Sequence, residues 1–281
     1  MESTELMKLL REGTSISLSE EDYKELTYQR MLKNVANYNE LEGGLKYLDC
    51  PNCKNKGYIG KVEYDKETGM YFEKYYRCKC MKRRKLLYLA DKGGLGKYIT
   101  LRFTDFEDGT EWQKKLKQLA INYCKSKEDY WWAALGQSGS GKTMISCTIA
   151  NYLLLEKEQE VMYVTWTDFV SKLKRDIMSD NAESVTDYLE KVKKVKVLYL
   201  DELLKKYTEA DLRYLIEIIN YRYANNLKTI ISSERMISEL LEIDEATFGR
   251  AVEKCGKYLV NIGKDKSKNH RLQTLNLGGN F

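Results

Sequence analysis

Residues 136–143 read GQSGSGKT, and their types and spacing can bind the phosphates of a nucleoside triphosphate. Glycines let the backbone curl around phosphate oxygens with its N–H groups pointing inward, which side chains would obstruct. Lys142 adds a positive charge, and the hydroxyl of Thr143 can bind Mg²⁺. The predicted binding residues are Gly136, Gln137, Ser138, Gly139, Ser140, Gly141, Lys142 and Thr143.

Two adjacent carboxylates, Asp201 and Glu202, follow the apolar run VKVLYL. A buried strand would place both at the carboxyl edge of a parallel sheet, where α/β proteins bind ligands. Asp201 is predicted to hold Mg²⁺ together with Thr143, and Glu202 to act as the general base. Ser233 and Glu234 close a later apolar run and are expected beside the γ-phosphate. The alternative is an acidic pair that only caps the next helix.

Four cysteines form a Cys-x2-Cys pair, Cys50 and Cys53, and a Cys-x-Cys pair, Cys78 and Cys80. The segment between the pairs alternates in strand fashion around a turn at 65–69. A two-stranded hairpin buries too little surface to be stable alone, so we predict a tetrahedral Zn²⁺ held by four thiolates. An iron–sulfur cluster is the alternative, and disulfides conflict with a reducing cytosol.

The elements that must position these residues follow from periodicity. Strand and helix patterns alternate after residue 130, which indicates an α/β domain with a mainly parallel sheet. Its five strands are predicted at 130–135, 161–166, 195–200, 228–233 and 257–262. A helix after the phosphate loop would present its N-terminus, and hence its free N–H groups, to the phosphates.

The chain is expected to have three parts. An N-terminal helical region (1–45) contains an amphipathic helix, which either packs on the ribbon or binds a partner. The zinc ribbon (46–85) follows, and a glycine-rich joint at 91–96 leads into the nucleotide domain (86–281). The acidic start of the chain does not resemble a signal peptide, so we expect a cytoplasmic protein without a membrane segment.

Net charge is only +5, so it indicates no particular partner. Two local basic clusters could bind a phosphate backbone, although such runs are more often solvated surface. Their members are Lys79, Lys82, Arg83, Arg84 and Lys85 in one cluster, and Lys264, Lys266, Lys268 and Arg271 in the other.

The motifs GQSGSGKT, VLYLDE, TIISSE and FGR, in this order, resemble those of the AAA+ ATPases of the DnaC-like helicase-loader group, which is related to the IstB transposition helpers. The resemblance covers roughly 86–271. It implies ATP as the nucleotide, protomers that assemble when ATP binds, and Arg250 as an arginine finger acting on a neighbouring subunit. Arg222 matches a recurrent arginine of the group, or is only a cation at a helix end. Glu234 departs from the usual asparagine and implies slow hydrolysis.

The resemblance also implies the partners, namely a hexameric replicative DNA helicase bound by the N-terminal module and single-stranded DNA contacted by the ATPase domain. We therefore predict an ATP-dependent helicase loader of DNA replication, encoded by a phage or mobile element. The alternatives are an IstB-like transposition helper, a replication initiator, and a zinc-containing adaptor for single-stranded DNA that binds ATP but barely hydrolyses it. A replication initiator would need a duplex-reading module, which the sequence does not indicate.

Aromatic and basic residues around the second predicted strand could bind single-stranded DNA by stacking and charge. Burial of the aromatic side chains in the core is the more frequent outcome for such a pattern. The residues are Tyr163, Trp166, Phe169, Lys172 and Lys174.

Overall fold

The computed structural model describes residues 19–179 and 182–273. Residues 1–18, part of the predicted N-terminal helical region, and residues 274–281 of the predicted nucleotide domain lie outside the described ranges. The chain divides into two compact units between Lys85 and Leu86. Within the described ranges, every helix is too short or too polar to cross a membrane.

The first unit begins with helix α1 (Glu20–Glu40). Ser19 caps it, because its hydroxyl accepts a hydrogen bond from the Asp22 amide while the Asp22 carboxylate accepts one from the Ser19 amide. The helix predicted in this region is confirmed.

Helix α1 packs on a hairpin of strands β1 (Tyr58–Asp65) and β2 (Met70–Arg77). The Asn39 side chain donates to the Gly60 carbonyl at 3.0 Å and accepts from its amide at 2.9 Å. A β-carbon on Gly60 would lie 3.2 Å from Val35, the one buried side chain of the helix, so a glycine allows this close approach. Packing on the ribbon is therefore the role that the structure gives the helix.

The second unit is built on a five-stranded parallel sheet, as predicted, with the strand order β4-β5-β6-β3-β7. Its central strands are buried on both faces, which explains their continuous apolar sequences. The strands are β3 (Trp132–Gly136), β4 (Val161–Thr165), β5 (Val197–Asp201), β6 (Lys228–Ser233) and β7 (Leu259–Ile262).

The helices that follow the hairpin begin with α2, which contains the division between the two units. They are α2 (Cys80–Ala90), α3 (Glu111–Lys125), α4 (Lys142–Leu155), α5 (Trp166–Met178), α6 (Ala182–Lys194), α7 (Glu209–Ala224), α8 (Ile237–Ile243), α9 (Glu245–Cys255) and α10 (His270–Gln273).

Two expectations change in the second unit. The joint at 91–96 is not an open linker, because it is wound into a helical turn, Asp91–Leu95, whose Leu95 side chain is fully buried. Arg222 is not a surface cation at the end of α7, because it is 0% exposed. Its guanidinium donates to the Thr229 hydroxyl and to four backbone carbonyls, those of Val192, Lys193, Val195 and Lys228. The buried Arg222 side chain therefore has a structural role.

Candidate functional site

The predicted phosphate loop connects β3 to the N-terminus of α4. Gly136 has φ +99°, and a β-carbon there would lie 2.1 Å from the Ile262 carbonyl oxygen. Gly139 has φ +73°, and a β-carbon there would lie 2.0 Å from Oδ1 of Asn269. Side chains are excluded at both positions, so the loop needs glycine for its shape as well as for access to phosphate.

The segment that follows β7 lies against this loop. The Gly139 carbonyl accepts a hydrogen bond from the His270 amide at 3.0 Å, and the Gln137 side chain accepts one from the Asp265 amide at 2.8 Å. The Ser140 hydroxyl donates to the Gln137 carbonyl at 2.8 Å. The Gln137 amide donates to the Ile262 carbonyl at 2.9 Å, so Gln137 and the Ser140 hydroxyl hold the loop in shape, which leaves the other backbone N–H groups of the loop to bind phosphate.

Lys142 is 8% exposed and its Nζ donates to the carbonyls of Gly136 at 3.0 Å and Gln137 at 2.6 Å. Burial lowers the pKa of Lys142 to about 8, although the carboxylates of Glu234 and Asp201 act in the opposite direction. The ammonium group is therefore desolvated and only partly compensated by carbonyl dipoles. Phosphate oxygens would compensate it with a full negative charge.

The two predicted magnesium ligands, Asp201 and Thr143, lie next to each other, and Asp201 is only 3% exposed. Its Oδ1 lies 3.2 Å from the Thr143 hydroxyl, which donates to it. Adjacent oxygen ligands of an octahedral Mg²⁺ with bonds of about 2.0–2.1 Å are about 2.9 Å apart, so this pair fits neighbouring positions around the ion. Tyr163 donates to Oδ2 at 2.8 Å, and the Ser232 hydroxyl donates to Oδ1.

Glu202 and Glu234 both line the cavity in front of the loop. Glu202 has φ +52°, and its carboxylate accepts from Lys205 at 3.1 Å. Glu234 accepts from the Ser138 hydroxyl at 2.7 Å. The Ser233 hydroxyl donates to the Leu203 carbonyl at 2.7 Å, so it supports the turn after β5, while its neighbour Ser232 contacts Asp201.

The cavity has a volume of about 740 Å³, which is within the range of ligand sites in proteins. One end is lined by Tyr98, Leu101 and Phe106, which sequence reasoning missed. Asn151 on α4 holds this segment, because its amide donates to the carbonyls of Tyr98 at 2.6 Å and Leu101 at 3.0 Å. The sequence gives no local signal for them, because helix α3 separates them from the first strand of the sheet.

Arg250 on α9 does not line the cavity of its own chain. Its guanidinium donates to Asn220 at 2.8 Å and lies 5.9 Å from the centre of the Tyr223 ring. It is half-buried. Action on a neighbouring subunit, as predicted, stays a prediction.

The four predicted zinc ligands come together in the first unit, with their sulfur atoms all within 4.8 Å of one another. Cys50 and Cys78 are 3.7 Å apart, and Cys53 and Cys80 are 3.6 Å apart. A tetrahedral site with Zn–S bonds of about 2.3 Å has sulfur–sulfur edges of about 3.8 Å, so the four thiols fit zinc. Burial raises the pKa values of Cys78 and Cys80, and a bound cation would favour their thiolates.

Arg84, read as part of a surface basic cluster, is 5% exposed. It donates to the carbonyls of Leu45, at 2.6 Å, and Lys46, and to the side chain of Asn55, which in turn accepts from the Cys50 amide at 2.9 Å. It also partly offsets the rise in pKa that burial causes at Cys80. Arg84 is therefore an internal support of the cysteine cluster rather than a ligand for phosphate.

The aromatic hypothesis for DNA contact is wrong for two residues. Trp166 and Phe169 are 0% exposed and belong to the hydrophobic core of the second unit. Tyr163 is also buried and contacts Asp201. Lys172 pairs with Asp176 at 2.8 Å and Lys174 with Asp211 at 3.0 Å, so both cations already have carboxylate partners.

Comparisons with known proteins agree with this geometry. Uncharacterized protein YqaM of Bacillus subtilis (strain 168) is 29% identical over 274 residues, covering 80% of this chain and 86% of its own. Phage-like element PBSX protein XkdC of the same organism is 30% identical over 249 residues, covering 83% of this chain and 89% of its own.

The fold has solved counterparts as well. A replication initiator DnaA bound to AMPPCP and single-stranded DNA aligns with a TM-score of 0.50 and 18% identity, over 63% of this chain. The aligned part is 56% of the DnaA chain, so the likeness concerns the fold of the nucleotide domain, an AAA+ P-loop ATPase fold. Residues 71–252 match the family described as IstB-like ATP binding protein. With this match over more than half of its length, the chain belongs to the IstB-like ATP binding family.

Proposed function

We propose that this protein is an ATPase that loads a hexameric replicative DNA helicase onto single-stranded DNA. The proposal depends mainly on the hydrogen bond between Thr143 and Asp201 beside the glycine loop. This contact places the residues that would bind magnesium next to those that would bind phosphate. The order of the motifs resembles helicase loaders, and one relative is a phage-element protein. The replication initiator with this fold was solved with an ATP analogue and single-stranded DNA, which supports the same ligands here.

Within this proposal the residues have separate roles. Lys142 and the loop amides bind the triphosphate, while Thr143 and Asp201 hold Mg²⁺, which neutralises the phosphates when bound. Glu202 accepts a proton from the attacking water, and Arg250 completes the site of the next subunit. Glu234 places a carboxylate near the loop, where its charge opposes that of the γ-phosphate. Hydrolysis is therefore slow, and ATP acts mainly as a signal for assembly.

The first unit is the proposed helicase-binding module, with Zn²⁺ held by Cys50, Cys53, Cys78 and Cys80. A transposition helper is the second proposal, because the matching family is named after IstB. The two proposals differ in the partner that the ATP-bound protein engages, so the partner decides between them.

The deciding experiment combines the full-length chain with a purified replicative helicase and single-stranded DNA coated by its binding protein. Helicase transfer to the DNA is expected with ATP and not with ADP, and the matched control Lys142→Ala should not support it. If no helicase is transferred and the protein instead stimulates strand joining by a transposase, helicase loading is wrong and the transposition role replaces it.

A further inference from the structure

Tyr163 and Asp201 lie on adjacent parallel strands, near the carboxyl ends of β4 and β5. The phenol donates to Oδ2 of Asp201 at 2.8 Å. The two residues are 7% and 3% exposed, so little water competes for this hydrogen bond. The bond is therefore strong enough to restrict the rotation of the carboxylate.

The two oxygens of Asp201 have different partners. Oδ1 accepts from the Thr143 hydroxyl at 3.2 Å, from the Ser232 hydroxyl and from the Glu202 amide at 2.9 Å, whereas Oδ2 accepts from Tyr163. With Oδ2 held on the Tyr163 side, Oδ1 is directed at the threonine that would share Mg²⁺ with it. Ligating carboxylates are typically oriented by such hydrogen bonds from residues that do not touch the metal.

We propose that Tyr163 is a positioning residue for the magnesium site, which fixes the Asp201 carboxylate so that Oδ1 faces Thr143. The inference rests on the proposed binding of Mg²⁺ and ATP. It gives Tyr163 a role other than the DNA stacking considered from the sequence.

The phenol is itself held in place before any metal binds. Its ring packs edge-to-face against the rings of Tyr98 and Tyr199. The ring centroids are 5.5 Å apart for Tyr98 and 5.1 Å apart for Tyr199, and the angles between the ring planes are 65° and 74°. Tyr98 and Tyr163 line the cavity, and the Tyr199 hydroxyl lies 3.0 Å from that of Ser232, which also donates to Asp201. Three tyrosines thus connect one end of the cavity to the metal-binding carboxylate.

The test compares the full-length protein with Tyr163→Phe, which keeps the ring and removes the hydroxyl. Tyr123→Phe is the matched control, because Tyr123 is also buried but donates to the Tyr130 carbonyl. Binding of a fluorescent ATP analogue is titrated first in EDTA and then with increasing Mg²⁺. Thermal unfolding in EDTA checks that all variants are folded.

We expect equal nucleotide affinity in EDTA and a Mg²⁺ midpoint about tenfold higher in Tyr163→Phe, with Tyr123→Phe like the wild type. A double variant with Asp201→Asn should be no worse than Asp201→Asn alone, because Tyr163 acts through that carboxylate. An unchanged midpoint in Tyr163→Phe, or additive losses in the double variant, would overturn the positioning role while leaving the proposed function intact. Absence of nucleotide binding in the wild type would overturn both.

Discussion

Lys142 and Glu202 both line the cavity, and substitutions at the two residues are expected to separate ATP binding from hydrolysis. Lys142→Ala should abolish ATP binding, because the loop loses its only side-chain cation. Glu202→Gln should bind ATP normally and hydrolyse it at least about 100-fold more slowly, since a general base typically contributes that much. Nucleotide binding and phosphate release are measured on the same preparations. Equal turnover in wild type and Glu202→Gln would refute the assigned base.

Glu234 is the residue at which this chain departs from the helicase-loader pattern. Glu234→Asn removes a negative charge beside the phosphate loop and supplies an amide that can orient water. We expect hydrolysis to become about tenfold faster, equivalent to about 1.4 kcal/mol of activation free energy. Glu234→Gln is the control for charge alone, since it keeps the length of the side chain. A rate at or below that of the wild type in both variants would show that the carboxylate does not slow the reaction.

On the scale of the element, the cysteine cluster is expected to depend on Arg84, in the middle of α2. Arg84→Gln should weaken zinc retention by about tenfold, because it removes the donors that hold the carbonyls at 45 and 46 and the Asn55 side chain. Lys85→Gln, an exposed neighbour, is the matched control. Zinc release is followed with a colorimetric chelator, and Co²⁺ substitution reports the thiolate ligands. Equal release from the two variants would mean that Arg84 does not support the metal site.

The elements of the nucleotide domain were predictable because each carries a local signal. The strand Lys228–Ser233 begins and ends as predicted, since its apolar run is bounded by polar residues. The third strand begins at Val197 rather than 195, and Trp166 starts α5 instead of closing β4. Strand ends are set by pairing with neighbouring strands, which local sequence does not encode.

Residues that act through the tertiary structure were not predictable in the same way. Tyr98 and Leu101 line the cavity on a segment that the distant Asn151 side chain holds through their carbonyls. Tyr163 reaches Asp201 only because β4 and β5 are adjacent. Arg84 and Arg222 read as surface cations, since nothing near them in sequence shows that carbonyl oxygens surround them in the fold.

For the whole molecule, the proposed function places Arg250, which does not line the cavity of its own chain, at the nucleotide site of a neighbouring subunit. Arg250→Ala and Lys142→Ala should each hydrolyse ATP poorly when alone. A mixture of the two variants should recover part of the activity. The nucleotide site of an Arg250→Ala subunit is intact, and a Lys142→Ala subunit can supply Arg250 to it. Phosphate release is measured over a range of mixing ratios. If no ratio exceeds the sum of the separate variants, Arg250 does not act in trans.

The segment that follows β7 holds the phosphate loop in place. The amides of His270 and Asp265 donate hydrogen bonds to the loop, and the Asn269 side chain lies against Gly139. The shape of the loop is thus set jointly by a turn near the middle of the chain and by residues translated more than a hundred positions later. A nascent chain would therefore have to extend beyond residue 270 before the loop could take this shape, so a shorter fragment that already contains GQSGSGKT should not bind ATP.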